Sequence, residues 1–238
     1  MRKSDLGVRT LTALAMAALV ALVLWQGGLV FALFAGVVGI GVYWEMWGLV
    51  RRFTASIWVR AVWMVGGALY IGAAVTALVM EQRLGVFFAP TPLLIAAATD
   101  IGAYFAGRRF GGPKIAPRIS PSKTWSGLLG GMVAAGAALV LLLNGSSAAL
   151  FQAVGWWQLT LGETIVTFLI GAVLAIVAQA GDFLESGMKR AAGVKESGHL
   201  LPGHGGLFDR MDGMIAIGAL LFIIAGLAML GAPVGAPL

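Results

Sequence analysis

Long apolar runs separated by short polar breaks dominate this chain. Read for stretches able to cross a hydrocarbon layer, it predicts seven helices, over about 11–25, 29–50, 58–80, 90–106, 126–143, 164–181 and 213–231. A span needs about 20 mostly apolar residues, so the short fourth run is expected to continue toward Arg108 and Arg109. The first run follows Met1, Arg2 and Lys3 in the manner of a secretory signal. No small-residue cleavage site follows it cleanly, and Trp25-Gln26-Gly27-Gly28 leads straight into the next run, so it reads as a retained anchor. Gly127 and Gly131, four residues apart, predict close helix packing. Ala148 to Leu161, with Trp156 and Trp157, reads as a segment lying at the membrane interface. The expected fold class is all-α: one domain over 1–238, a polytopic membrane bundle of about seven transmembrane helices.

The basic residues orient that bundle. Arg2, Lys3 and Arg9 precede the first run, and Arg51, Arg52 and Arg60 follow the second. Arg108, Arg109, Lys114, Arg118 and Lys123 follow the fourth; Lys189, Arg190, Lys195 and Arg210 follow the sixth. Of 16 basic residues, Arg83 alone falls on the other side. Positive residues stay cytoplasmic, which predicts an N-terminus inside and a C-terminus outside. Composition agrees. The chain is 60% hydrophobic with a mean hydropathy of +0.94, and its charged share of 11% compares with about 25% in soluble domains. These values exclude a soluble enzyme and a disordered tail. With no cysteine, disulfides, thiolate metal sites and cysteine nucleophiles are excluded as well. The net charge of +6 is a topology signal and calls for no nucleic acid.

Two expected cytoplasmic segments, 100–126 and 181–213, hold most of the unusual chemistry, including six of the ten acidic residues. Asp100, Tyr104 and Arg108 share one helical face and can point into one cavity. A plain buried Asp–Arg pair is the alternative. Asp209 and Asp212 stand three apart at the start of the last helix, and Asp182 ends the sixth. Three carboxylates at neighbouring helix ends suit Mg²⁺; solvated helix-end charges are the bland reading. Lys123, Lys189, Arg190, Lys195 and Arg210 fit the neutralisation of a polyphosphate. Pro202-Gly203-His204-Gly205-Gly206 forms a loop whose backbone N–H groups can approach an anion. His204 can donate to phosphate or simply be satisfied within its loop. Arg118, Ser120 and Ser122 are expected to contact substrate phosphates together with Lys123.

The second segment resembles the signature of the phosphatidate cytidylyltransferases, the CDP-diacylglycerol synthases. The residues that carry the resemblance are Ser186, Lys189-Arg190, Lys195, Gly198, Pro202-Gly203-His204-Gly205-Gly206, Asp209-Arg210 and Asp212. The first segment agrees through Asp100, Ala103-Tyr104, Gly107-Arg108, Phe110-Gly111 and then Ile119-Ser120-Pro121-Ser122-Lys123-Thr124-Trp125. Two positions depart from the family pattern: Glu196 stands where it has Asp, and Ser126 where it has Glu.

The resemblance implies transfer of CMP from CTP to phosphatidate for phospholipid biosynthesis, with Mg²⁺ and a second cation as candidate cofactors. It implies catalytic roles for Asp100, Lys189, Arg190, Asp209, Arg210 and Asp212, and a metal site at Asp182, Asp209 and Asp212. Substrate would meet Tyr104, Arg108, Arg118, Ser120, Ser122, Lys123, Ser186, Lys195, Gly203, His204, Gly205 and Gly206. It also implies a bacterial-type cytoplasmic (inner) membrane location, an active site facing the cytoplasm, and a homodimer. The chain is short for the family, which predicts fewer spans than longer members have.

Two rivals fall in other classes. Asp209-Arg-Met-Asp212-Gly213 evokes the CDP-alcohol phosphotransferases, but their acidic motif continues and here no acid follows Asp212. An ion-coupled transporter using Asp100 and Glu45 is the other. A transport path needs polar groups on both sides of the midplane, and the last helix has none beyond Gly213.

Overall fold

The computed structural model describes residues 3–85, 88–150, 159–201 and 205–231. Seven helices appear among them in chain order: α1 (Lys3–Gln26), α2 (Gly28–Phe53), α3 (Ile57–Leu84), α4 (Thr91–Phe110), α5 (Trp125–Leu150), α6 (Leu161–Ala191) and α7 (Phe208–Gly231). Each satisfies its own backbone donors and acceptors, which is what a chain in lipid requires. Five of them, α2, α3, α5, α6 and α7, are long and apolar enough to cross a membrane. Large side chains such as Ile40, Val62, Leu69 and Leu141 stand more than two-thirds exposed, a surface that lipid tolerates and water does not. The molecule is an all-α multi-pass membrane protein.

Local chemistry explains the boundaries. Thr160 and Glu163 close a reciprocal capping box at the start of α6: Thr160 N donates to Glu163 Oε2 at 2.8 Å, and Glu163 N donates to Thr160 Oγ1 at 3.3 Å. Pro92 sits in the first turn of α4, where its missing N–H costs nothing. At the other end of α4, Gly111 adopts φ +62°, a left-handed turn that only glycine takes without strain.

Four differences from the sequence expectation stand out, all but one of them at the site. The sixth helix does not stop near 181 but runs to Ala191, and the seventh begins at Phe208 rather than 213. The first begins at Lys3, well before 11. Between α4 and α5 the chain forms an antiparallel hairpin, β1 (Lys114–Ala116) with β2 (Ser120–Thr124). Its turn has Pro117 after Ala116 and closes with Ile119 N donating to Ala116 O at 3.1 Å, the position that favours proline in a β-turn. The expected extension of the fourth helix past Arg108 is present. The segment 151–158, with Trp156 and Trp157, lies outside the described residues, as do Pro202, Gly203 and His204.

Two buried apolar clusters flank the α6–α7 pair. One joins Val42, Met46 and Leu49 of α2 and Ile71 of α3 to Met188 of α6 and to Phe208 and Ile215 of α7. The other joins Ile95 of α4 and Ala135 of α5 to Leu174 and Ala175 of α6 and Ile217 of α7. Helices α4 and α5 meet along a glycine seam. A Cβ on Gly131 would lie 2.9 Å from Thr99 O, and one on Gly127 would lie 3.0 Å from Ala103 O. The Gly127/Gly131 pair is thus a packing motif, as its spacing predicts. This arrangement brings the middle of α4, around Asp100, and the C-terminal third of α6 to the first turns of α7.

Candidate active site

A cavity of about 270 Å³ opens where those three segments converge. Asp100 comes from α4, Asp182 and Lys189 from α6, Glu196 and Gly205 from the connecting loop, and Asp209, Arg210 and Asp212 from α7. The 31 residues of α6 rise about 46 Å, against a hydrocarbon core of about 30 Å. Its last polar turns therefore have room to project beyond the lipid while staying helical. That projection is what carries Asp182, Glu185, Ser186 and Lys189 on one rigid element.

At the cavity and in the wall behind it, four carboxylates fall into two groups. Asp182, Glu185 and Asp212 each present an oxygen within 4.8 Å of the others. Asp182 accepts from Ser186 Oγ at 3.1 Å and forms an ion pair with Lys123. Lys123 Nζ also lies 4.6 Å above the ring of Phe183. Asp212 Oδ1 accepts from Gly213 N at 2.7 Å. Glu185 is fully buried, and its partner is Lys189 one turn on, at 2.5 Å.

Asp209 belongs to the second group. Its Oδ1 accepts from Lys189 at 2.6 Å, while Oδ2 accepts from Ser197 N at 2.9 Å and Gly206 N at 3.1 Å and lies 3.0 Å from Ser197 Oγ. Lys189 thus bridges Glu185 and Asp209, a cation held by two carboxylates at the cavity wall. The loop closes tightly around this group. A Cβ on Gly206 would come within 2.7 Å of Asp209 Oδ2 and 2.8 Å of Glu45 Oε2.

The sequence-expected residues therefore distribute unevenly. Asp100, Asp182, Lys189, Gly205, Asp209, Arg210 and Asp212 line one cavity, and Ser186 and Gly206 bond directly to its carboxylates. Tyr104 and Arg108 pair with each other, Arg108 Nη1 donating to the phenol oxygen at 2.9 Å, and both are exposed. Among the described residues no Asp100–Arg108 ion pair forms. Arg190 donates to Ile119 O at 3.2 Å and so ties the hairpin to α6. In the hairpin Ser120 is buried, whereas Arg118 and Ser122 are exposed. Lys195 is exposed in the loop.

Ser126, which departs from the pattern of the resembled family, bonds to Gly111 O and lies 3.1 Å from Thr124 Oγ1, closing the base of the hairpin. Glu196 pairs with His199 at 3.5 Å. Besides Glu196, which lines the cavity, two residues were given no place in this site by the sequence reading. Glu185 was legible in principle, standing three positions after Asp182 and four before Lys189, both spacings that share a helix face. Glu45 is the other. Far from serving a transport path, its carboxylate takes donors from Ser197, Leu200 and Phe208.

Comparison with known proteins places these features in context. A model of the cytidylyltransferase family matches residues 53–228, a stretch that contains the whole cavity lining. The phosphatidate cytidylyltransferase of Brucella suis biovar 1 (strain 1330) is 34% identical over 94% of this chain and 94% of its own length. Those of Rickettsia felis and Haemophilus influenzae are 40% and 37% identical. The first covers 54% of each chain; the second covers 56% of this one and 43% of its own.

Proposed function

The chain belongs to the cytidylyltransferase family, and from that premise we propose that it transfers CMP from CTP to phosphatidate, giving CDP-diacylglycerol and pyrophosphate. One observation supports this reading above the others: anionic and cationic side chains from three helices surround one cavity in an otherwise apolar bundle. A phosphate-for-phosphate exchange needs both signs. The phosphatidate monoester is already largely dianionic near neutrality, since a second phosphate pKa lies near 6. Its oxygen forms the new bond to the α-phosphorus of CTP as the α–β P–O bond breaks and pyrophosphate leaves. No strong general base is required, which accords with a cavity lined by no histidine among the described residues.

Lys189 and Arg210 line the wall and oppose the charge of the leaving pyrophosphate. Glu185 and Asp209 fix Lys189 in place, so its ammonium group reaches phosphate without a search through rotamers. Lys123 and Arg190 join the hairpin to α6, which holds the Ser120–Thr124 strand beside the cavity as a second source of phosphate contacts. The oxygen donors fit Mg²⁺: Asp182 and Asp212 would hold the ion, with Glu185 in reach and, among the described residues, no sulfur or nitrogen ligand to favour zinc. Bound there, Mg²⁺ supplies charge neutralisation at the reacting phosphates. We assign Asp209 to holding Lys189, because its oxygens are engaged by Lys189, Ser197 and Gly206.

The reading extends to the membrane. We place the cavity on the cytoplasmic side of a bacterial inner membrane, with seven spans, an N-terminus inside and a C-terminus outside. The positive-inside pattern supports this, as does the convergence of the ends of α2, α4 and α6 with the start of α7. CTP would enter from water and phosphatidate sideways from the bilayer. The test is purified protein with CTP, phosphatidate and Mg²⁺, following pyrophosphate release. Release should require both substrates and stop on chelation; release without lipid, or none with all components, would overturn the assignment.

A further inference from the structure

Glu45 is a carboxylate without a described use. It lies on α2, upstream of the residues matched by the family model, and is 4% exposed. Burying a carboxylate is costly unless donors replace its water, and among the described residues no cation pairs with it. Three donors from more than 150 residues away do the replacing. Phe208 N donates to Oε2 at 2.8 Å, Ser197 Oγ lies 3.0 Å from the same oxygen, and Leu200 N donates to Oε1 at 3.4 Å. A Cβ on Gly198 would strike the carboxylate carbon at 2.5 Å, so the loop is shaped to receive it.

The need for Glu45 can be traced to the start of α7. A helix leaves its first N–H groups without intrahelical partners, and a local Ser, Thr, Asp or Asn normally supplies one acceptor. Here Gly206 and Leu207 precede Phe208, and neither has a side chain that accepts. Glu45 serves Phe208 N, and Ser197 Oγ accepts from Asp209 N at 3.3 Å. A negative charge at this end also meets the positive pole of the helix dipole. The Ser197 hydroxyl has one proton, which goes to Glu45; its own backbone N–H donates to Asp209 Oδ2 at 2.9 Å, and Asp209 Oδ1 holds Lys189. Glu45, Ser197, Asp209 and Lys189 form one hydrogen-bonded chain into the cavity.

We propose that Glu45 is a positioning residue: from α2 it caps α7 and pins the α6–α7 loop, and through Ser197 it sets Asp209 and Lys189 in the cavity. The proposal rests on the cytidylyltransferase reading for its activity arm alone. Its test combines turnover with hydrogen exchange on the full-length protein in detergent. Glu45→Ala should lower kcat/KM for CTP by at least ~30-fold. Amides of the loop and the first turn of α7 should exchange at least ~10-fold faster, while those of α3 and α5 keep wild-type rates.

Glu45→Gln can keep its oxygen toward Phe208 and Ser197 and lose only the longest bond, so it should stay within ~5-fold of wild type. Adding Ser197→Ala to Glu45→Ala should cost little more, because both act along one chain. The proposal is overturned by Glu45→Ala with near-normal turnover, by Glu45→Gln as impaired as Glu45→Ala, or by losses that multiply in the double variant. Should Glu45→Ala fail to fold, Ser197→Ala and Glu45→Gln decide. The first must lose turnover and loop protection, and the second must keep both. A wild type without turnover counts against the functional reading, and exchange then decides the cap by itself.

Discussion

At the scale of single residues, the proposed metal site turns on which carboxylates are left to take an ion and which hold a lysine. Asp209 and Asp212 look equivalent in sequence, three apart with an arginine between them. The fold separates them: Asp209 turns to Lys189, Ser197 and Gly206, and Asp212 faces Asp182 and Glu185. Nothing in local spacing encodes this, because the donors that claim Asp209 arrive from a loop folded back across it. Spacing could place Glu185 on the face of Asp182 and Lys189 but not predict its full burial, which is set by helices from elsewhere in the chain. The division predicts distinct losses. Asp212→Asn keeps size and one acceptor but removes charge, and turnover should fall at least ~10²-fold. Mn²⁺ binding to substrate-free protein, read by electron paramagnetic resonance, should weaken strongly in Asp212→Asn and Asp182→Asn and much less in Asp209→Asn. Equal weakening in all three would return Asp209 to the metal site.

At the scale of elements, the site depends on how closely α6 lies against α7. Gly181 sits at the crossing, where a Cβ would stand 2.5 Å from Asp212 O and 2.6 Å from the Cβ of Ala216. Both neighbours are too rigid to yield, the first being backbone. Gly181→Ala should push the helices apart beside Asp182 and Asp212, widening the carboxylate cluster without touching any charge. Turnover should fall by at least ~10-fold through misplacement alone, while the protein still inserts and retains its helical circular dichroism. Wild-type kinetics in this variant would mean that the two helices have slack there. Glycine seams were legible from the Gly127/Gly131 spacing, and the spans from apolar runs. The last ten residues of α6 were not. Hydropathy ends a helix where polar residues begin, yet backbone bonding continues for as long as one face stays buried, as Glu185 and Met188 are. The hairpin was missed because Lys, Ser and Pro are poor strand signals, although Pro117 in its turn was the available clue.

At the scale of the whole molecule, the parity of crossings decides which compartment the cavity meets. Five helices satisfy span criteria by length and composition, and α4, at 20 residues, is shorter and carries Asp100, Arg108 and Arg109. The contacts constrain the answer. Glu45, in the last third of α2, bonds to the first residue of α7, and Arg190 at the end of α6 bonds to the hairpin that follows α4. The ends of α2, α4 and α6 and the start of α7 therefore share one side. That pattern is met if α3 and α4 cross as a pair and α5 and α6 cross as a pair. The same side holds Arg51, Arg52, Lys123, Lys189, Arg190 and Arg210, and basic loops remain in the cytoplasm. In the proposed orientation α7 would leave the cytoplasm and end outside, and α1 would cross outward for α2 to return. A periplasm-active phosphatase fused after Leu238 should be active, and a fluorescent protein that matures only in the cytoplasm should stay dark there. The reverse outcome would apply to fusions after Arg52 or after Ala192. A cytoplasmic signal after Leu238 would require an even number of crossings. Either α4 would then fail to span or α1 would lie along the surface, and the second of these would leave the cavity facing the cytoplasm only if α7 turned back before leaving the bilayer.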